Sequence, residues 1–341
     1  MATLKDVAAL AQVHPSTVSR VLHSTENLPI SMQTRQRVLD AAKKLDYHPD
    51  QRARALRVGK SNTIGLIIPD ISNPFFSQIA KSIEKESYQA GYTLVVCASN
   101  EDQEKEIQFV ANLTHRGIDG LVIAPVQDSY KHLIHLKKRN YPFVLIDRCF
   151  DELETNAVIS DNETAAFEAV EFLARLGHRR IAFLSGRSTI YTIRKRLTGY
   201  RNALSAFDLE NDPNLVSNGG FTFDQGYEQS LQLLSMADPP TAMLISGNLI
   251  TFGAIKAVVE KKLNIPRNIS LIGFTDSILT PYLICPLTSI THPLKDMGVR
   301  AFRLLHQHMT AKEKLPYSRI VVQTTMTKGA STALLTEHAV K

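Results

Sequence analysis

Short apolar runs that recur along the chain set the tightest limit on its fold. TIGLIIP, TLVVCAS, GLVIAP and FVLID follow one another from Thr63 at intervals of roughly 25 to 30 residues. None alternates polar with apolar residues, so each predicts a strand buried on both faces, as in a parallel sheet covered by helices. Amphipathic segments at 75–91 and 103–117 fall between them. A second series follows in RIAFLS, AMLIS and ISLIGF, with helices expected near 162–177, 196–207, 224–235 and 249–263. Alternation of this kind predicts an α/β architecture with doubly wound parallel sheets. Two series in one chain predict two lobes, with a ligand cleft between them near the carboxyl ends of the strands.

The first 61 residues read differently. In TLKDVAALAQVHPSTVSRVLH (3–23), Leu4, Val7, Ala8 and Ala11 form one apolar stripe at helical spacing. After a tight turn, Pro15 stands at the first position of a second helix, where its missing N–H is no loss. Val18, Val21 and Leu22 face inward there, while Ser16, Thr17, Arg20 and His23 point elsewhere. Short polar residues with an arginine on an outer helix face suit a major groove; a plain helical hairpin is the alternative. Charge favours the first reading. Residues 1–61 hold ten Lys and Arg against five Asp and Glu, so they carry +5 of the chain's net +6. Basic character confined to one end fits a module that neutralises phosphates. A third helix is expected from Ser31 as N-cap to Leu45, with Val38, Leu39, Ala42 and Leu45 inward. Arg35, Arg37, Lys43 and Lys44 are then available to phosphates or to water. Between Pro49 and Gly59 lies an Ala-, Leu- and Arg-rich stretch too short to be helical alone in water. It predicts a hinge helix formed with help from DNA or a second copy. Its Leu56, with no core of its own, either wedges between base steps or packs on the next domain.

Composition excludes several classes. With 44% hydrophobic and 21% charged residues in 341, the chain reads as globular, with two or three domains. MATLKDVAAL lacks a basic segment leading into an apolar one, and no run reaches membrane-span length. Cys97, Cys149 and Cys285 are far apart and without metal-ligand spacing, as expected of reduced thiols in a cytoplasmic protein. No phosphate loop, dinucleotide fingerprint, zinc motif or nucleophile elbow occurs, so no enzyme, cofactor or metal site is expected.

TLKDVAALA, PSTVSRVL, Tyr47-His48-Pro49 and ARALR at 53–57 closely resemble the lactose-repressor (LacI) family of bacterial transcription regulators. The resemblance continues through IGLIIPDISNPFF (64–76), RGIDGLVI (116–123), RLTGYRNAL (196–204), NIPRNISLIGF (264–274), CPLTSI (285–290) and KGAST (328–332). It implies a helix-turn-helix headpiece at 1–48, a hinge at 49–61 and an effector-binding and dimerisation domain at 62–335. The sensor would have the type I periplasmic-binding-protein fold, with three crossings between lobes near 160, 290 and 318. The N-lobe would comprise 62–160 and 291–318, the C-lobe 161–290 and 319–335. The resemblance further implies base contacts from Pro15, Ser16 and Arg20, with Thr17 beside them, and minor-groove contacts from Ala53 and Leu56. Its effector positions fall on Phe76, Arg148, Arg196, Phe221, Asn248 and Thr275. Some have plainer readings: Phe76 and Phe221 as core, Arg148 as a partner of Asp147 or Asp161.

Four departures from the family pattern matter. Gln12 replaces a frequent turn glycine, and Asp50 replaces a frequent asparagine at the start of the hinge. Leu249 and Thr275 replace two carboxylates of the cleft, a loss that, with both arginines kept, predicts an anionic sugar rather than a neutral one. The function expected is a homodimeric, cytoplasmic regulator that reads a palindromic operator under control of a sugar or sugar derivative, without a membrane partner. Two alternatives are a carbohydrate-binding module with a vestigial DNA segment, and a global regulator whose Arg300 and Arg303 dock a phosphoprotein co-repressor.

Overall fold

A computed structural model describes residues 2–23, 30–47, 60–276 and 280–335. The chain divides into two compact units, Met1–Ser61 and Asn62–Lys341.

The first unit packs three helices, α1 (Leu4–Ala11), α2 (Pro15–His23) and α3 (Met32–Lys44). Thr3 and Asp6 form a capping box at the start of α1. Gln12 ends α1 in the left-handed region, φ 53°, which is the conformation a glycine would adopt without strain. The core is small: Val7, Ala8, Ala11, Val18, Val21, Val38, Ala41 and Ala42. On α3 the inward set differs from expectation. Leu39 is exposed and Ala41 takes a core position, because the three helices approach closely enough for alanine to fill the gap. Ala53, Leu56 and the hinge expectation lie outside the described residues.

The second unit holds two parallel-sheet lobes. The first sheet has the order β10-β5-β4-β3-β1-β2, from β1 (Thr63–Ile68), β2 (Thr93–Ala98), β3 (Gly120–Ile123), β4 (Phe143–Ile146), β5 (Ala157–Ser160) and β10 (Arg319–Val322). Helices α4 (Pro74–Gln89), α5 (Gln103–His115), α6 (Lys131–Lys138) and α11 (Leu294–Thr310) accompany it. Apolar clusters on both of its faces explain the unbroken hydrophobic runs of β1, β3 and β4, whereas β2 lies at the sheet edge with none of its residues fully buried, contrary to the expectation for its run. The second sheet is β11-β9-β8-β7-β6, from β6 (Ile181–Leu184), β7 (Ala242–Ile245), β8 (Ser270–Phe274), β9 (Thr288–Thr291) and β11 (Thr325–Thr327). Only β11 in it is antiparallel, Met326 lying opposite Ile290. Helices α7 (Asn162–Arg175), α8 (Tyr191–Ala206), α9 (Phe223–Leu234) and α10 (Asn248–Glu260) complete that lobe.

The chain passes between lobes after β5, after β9 and after β10. The third passage therefore lies between 322 and 325, not near 318. Residues 319–322 pair in parallel with β5 and belong to the first lobe, so the C-lobe boundary expected at 319 moves past them. Strand β10 is an exposed edge with only Val322 buried, which is why its apolar content did not mark its lobe. Among the described residues no helix is long and apolar enough to cross a membrane.

Candidate effector cleft and DNA-reading helix

A cavity of about 560 Å³ lies where loops from the carboxyl ends of both sheets meet. The first lobe contributes the start of α4, where Asn73 caps the helix by accepting from the Phe75 N–H at 3.1 Å and Phe76 follows within the first turn. Loops after β2 and β4 bring in Glu101, Asp147 and Arg148. From the second lobe come Arg187, Thr192 and Arg196, Phe221 just before α9, and Asn248 as the first residue of α10.

Arg196 is the most constrained of these. Its Nε donates to Asn162 Oδ1 at 2.7 Å, Nη1 to the Ser246 carbonyl at 2.7 Å and Nη2 to His292 Nε2 at 3.1 Å. Its guanidinium lies 3.9 Å from the Phe274 ring centroid. Three of the five guanidinium N–H groups are thereby engaged, leaving two for an acceptor in the cavity. Burial lowers its pKa to about 10, opposed by Asp147 and Asp276, so it stays cationic at neutral pH. Because His292 Nε2 accepts from Arg196, the ring proton is assigned to Nδ1, which donates to Asp276 at 2.9 Å.

Arg148 is also committed. Nη2 and Nη1 grip the two oxygens of Glu101 at 2.7 and 2.9 Å, and Nη1 reaches the Pro125 carbonyl at 3.2 Å. Asp147 stands 3.7 Å from its Nε, whereas Asp161 instead accepts from the Thr324 N–H. Burial would lower the Arg148 pKa, but the carboxylates of Glu101, Asp147 and Glu106 together outweigh it and the net shift is upward. Burial likewise pushes the Asp147 carboxyl up, against the pull of Arg148 and Arg196. The Arg148 guanidinium lies over Phe76 and Phe221, 6.0 and 5.7 Å from their centroids, so both aromatic residues border the cavity.

Five of the six expected cleft residues therefore meet around one space: Phe76, Arg148, Arg196, Phe221 and Asn248. Thr275 does not line it. It is fully buried, with its N–H on the Ile290 carbonyl, and the next residue turns into the cavity instead. Asp276 accepts from the backbone and ring N–H of His292, and its own N–H donates to Asn248 Oδ1 at 2.8 Å. The carboxylate expected to be missing is thus supplied one position later. Among the described residues, four lining carboxyl groups (Asp70, Glu101, Asp147, Asp276) face three arginines (Arg148, Arg187, Arg196), which removes the charge argument for an anionic ligand. The other departure holds: Leu249 lines the cavity as an apolar group. Sequence reasoning missed Glu101 and His292; their one visible signal was a position just past the end of a strand.

On α2, Ser16 and Arg20 are exposed while Pro15 and Thr17 are half-buried. His14 Nδ1 accepts from the Ser16 N–H at 3.2 Å and lies 2.7 Å from Ser16 Oγ, so the imidazole serves the helix start that a serine or aspartate cap would serve. The exposed face is short, polar and cationic, the shape and chemistry a major groove admits. Arg300 and Arg303 on α11 are ion-paired with Asp296 and Glu86, at 2.6 and 3.4 Å.

Residues 3–50 match the model of bacterial regulatory proteins of the lacI family, and 61–328 that of periplasmic binding proteins and the sugar binding domain of the LacI family. The HTH-type transcriptional repressor CytR of Escherichia coli is 34% identical over 335 residues, spanning 98% of this chain and 97% of that protein. The lac repressor dimer bound to operator and the anti-inducer ONPF superposes with a TM-score of 0.87 at 27% identity, covering 97% of this chain and 99% of that one. A LacI family transcriptional regulator from Enterococcus faecium with bound ribose gives 0.73 at 28% identity, over 80% and 100% of the two chains. Matched end to end by a DNA-reading headpiece and a two-lobed sensor, the chain belongs to the LacI family and is a DNA-binding transcriptional regulator.

Proposed function

We propose that the protein is a homodimeric, cytoplasmic repressor of carbohydrate genes whose hold on a palindromic operator is set by a neutral, sugar-like effector in the cleft. One observation carries the choice of effector: two of the cavity's three arginines are already ion-paired, Arg148 with Glu101 and Arg187 with Glu101 and Asp128, and the lining carboxyl groups outnumber the arginines. What remains for a ligand is two aromatic faces, Phe76 and Phe221, two Arg196 N–H groups and the acceptors Asp147 and Asp276. Such a set suits a polyhydroxylated ring with one apolar face. The ribose held by the Enterococcus faecium regulator supports a sugar of this kind. Pro15, Ser16, Thr17 and Arg20 are assigned to the operator, with Ala53 and Leu56 in the minor groove.

Two identical reading helices related by a twofold axis read a palindrome, whereas one helix touches few bases. Exposed apolar side chains on both lobes support self-association: Phe223, Val259, Tyr282 and Ile284 on the second, Ile71, Tyr88 and Val95 on the first. The effector acts through its different affinity for two arrangements of the lobes.

Selection of bound sequences from a random duplex pool, with and without neutral and anionic sugars, tests the reading. A palindromic consensus whose recovery changes with a neutral sugar is expected. Calorimetric binding of anionic sugars alone would overturn the effector assignment, and recovery of no preferred sequence would overturn the whole.

A further inference from the structure

The helix that carries Thr192 and Arg196 begins without a cap of its own. Ile190 occupies the N-cap position of α8 and offers no side-chain acceptor. The Tyr191 N–H, which has no partner within the helix, donates instead to Gln127 Oε1 from the other lobe. Gln127 is 7% exposed and uses both ends of its amide, Nε2 donating to the Cys149 carbonyl at 2.7 Å. Its backbone is left-handed, φ 78°, an unfavourable state for a side chain with a Cβ.

The loop bearing Gln127 is tied down on either side. The buried Glu106 carboxylate accepts from the Val126 N–H at 2.6 Å, and Gln103 Oε1 accepts from the Asp128 and Ser129 N–H groups at 3.1 and 3.0 Å. Two neighbouring loops of the same lobe share its strain and direction. Glu101, φ 57°, pairs with Arg187 of the second lobe at 3.3 Å, and Asp147, φ 65°, lies in the field of Arg196.

We infer that Gln127 is a positioning residue: by capping α8 across the cleft it holds the helix that presents Arg196 and favours the closed arrangement of the lobes before any ligand arrives. Opening the lobes leaves Tyr191 N–H uncapped; closing them restores the acceptor. The inference concerns contacts between the lobes and stands whichever ligand the cleft takes.

Residue-resolved hydrogen exchange on the ligand-free full chain tests it. The first amides of a helix lack internal acceptors and exchange fast, so slow exchange at Tyr191 reports the cap. Gln127→Ala is expected to raise exchange at Tyr191 and its neighbours to residue 193 by about five- to tenfold, the equivalent of one hydrogen bond. Gln127→Glu loses the donor to the Cys149 carbonyl but keeps an acceptor for the Tyr191 N–H, and is expected to raise exchange there less than alanine does. Should alanine lower the melting temperature enough to blur the comparison, Gln127→Met, with similar length and neither donor nor acceptor, replaces it. A merely local role would raise exchange in 124–130 only. That result, or equal exposure of Tyr191 in the glutamate and alanine variants, overturns the inference.

Discussion

Gly199 provides a test in which packing and helix propensity predict opposite signs. On α8 it faces the backbone of α7, and a Cβ added there would lie 2.0 Å from the Glu163 carbonyl oxygen and 3.1 Å from Ala166 Cβ. Carbon and oxygen approach comfortably at about 3.3 Å, so Gly199→Ala drives the helices apart by roughly 1 Å. A backbone oxygen cannot swing aside as a side chain would, which places the overpacking cost near the top of its usual range, about 3 kcal/mol. Alanine returns about 1 kcal/mol as a better helix former, leaving a loss of about 2 kcal/mol. For a body the size of the sensor this lowers Tm by about 4 °C. The same shift stretches the 2.7 Å bond from Asn162 on α7 to Arg196 on α8, so affinity for the effector falls as well. Thermal melts by circular dichroism, with calorimetric titration of the effector, measure both. A raised Tm with unchanged affinity would refute the packing argument.

Gln12→Gly should stabilise the headpiece by about 0.5–1 kcal/mol, since the strain of a left-handed glutamine exceeds the added freedom of the unfolded chain; a lowered headpiece transition would contradict this. His178 is buried between Thr241 and Ser270, each 3.0 Å from a ring nitrogen, and burial lowers its pKa from the usual 6.5. The unfolded chain therefore takes up the proton first, so this contribution is full above about pH 6.5 and is lost as pH falls below it. His178→Asn should flatten the sensor's Tm profile between about pH 7 and 5, and an unchanged profile would remove His178 from the account. Arg20→Ala should cost about 1–3 kcal/mol at one operator position and relax its specificity, read by comparing affinities for operators altered base by base.

Much of this protein was legible in one dimension, for a physical reason: burial on both faces of a parallel sheet writes an unbroken apolar run, and a helix stripe writes a spacing. The runs at Thr63 and Gly120, the stripes of α1 and α2, and the boundary between a basic headpiece and a near-neutral sensor are local properties of neighbouring residues. Strand β10 and the short α6 were not legible, because an exposed edge and a helix that buries only Leu133 and Leu136 carry little of that pattern. The cleft was decided by tertiary structure. Whether Arg148 is a free cation depends on Glu101, 47 residues away. Whether Thr275 or Asp276 faces the cavity depends on which side of the chain emerges past β8. The support of Arg196 joins Asn162, Ser246 and His292 from three separate parts of the sequence. Charge balance and hydrogen-bond supply are sums over groups that only the fold brings within reach, so residue identity alone suggested an anion without counting the carboxyl groups that share the cavity.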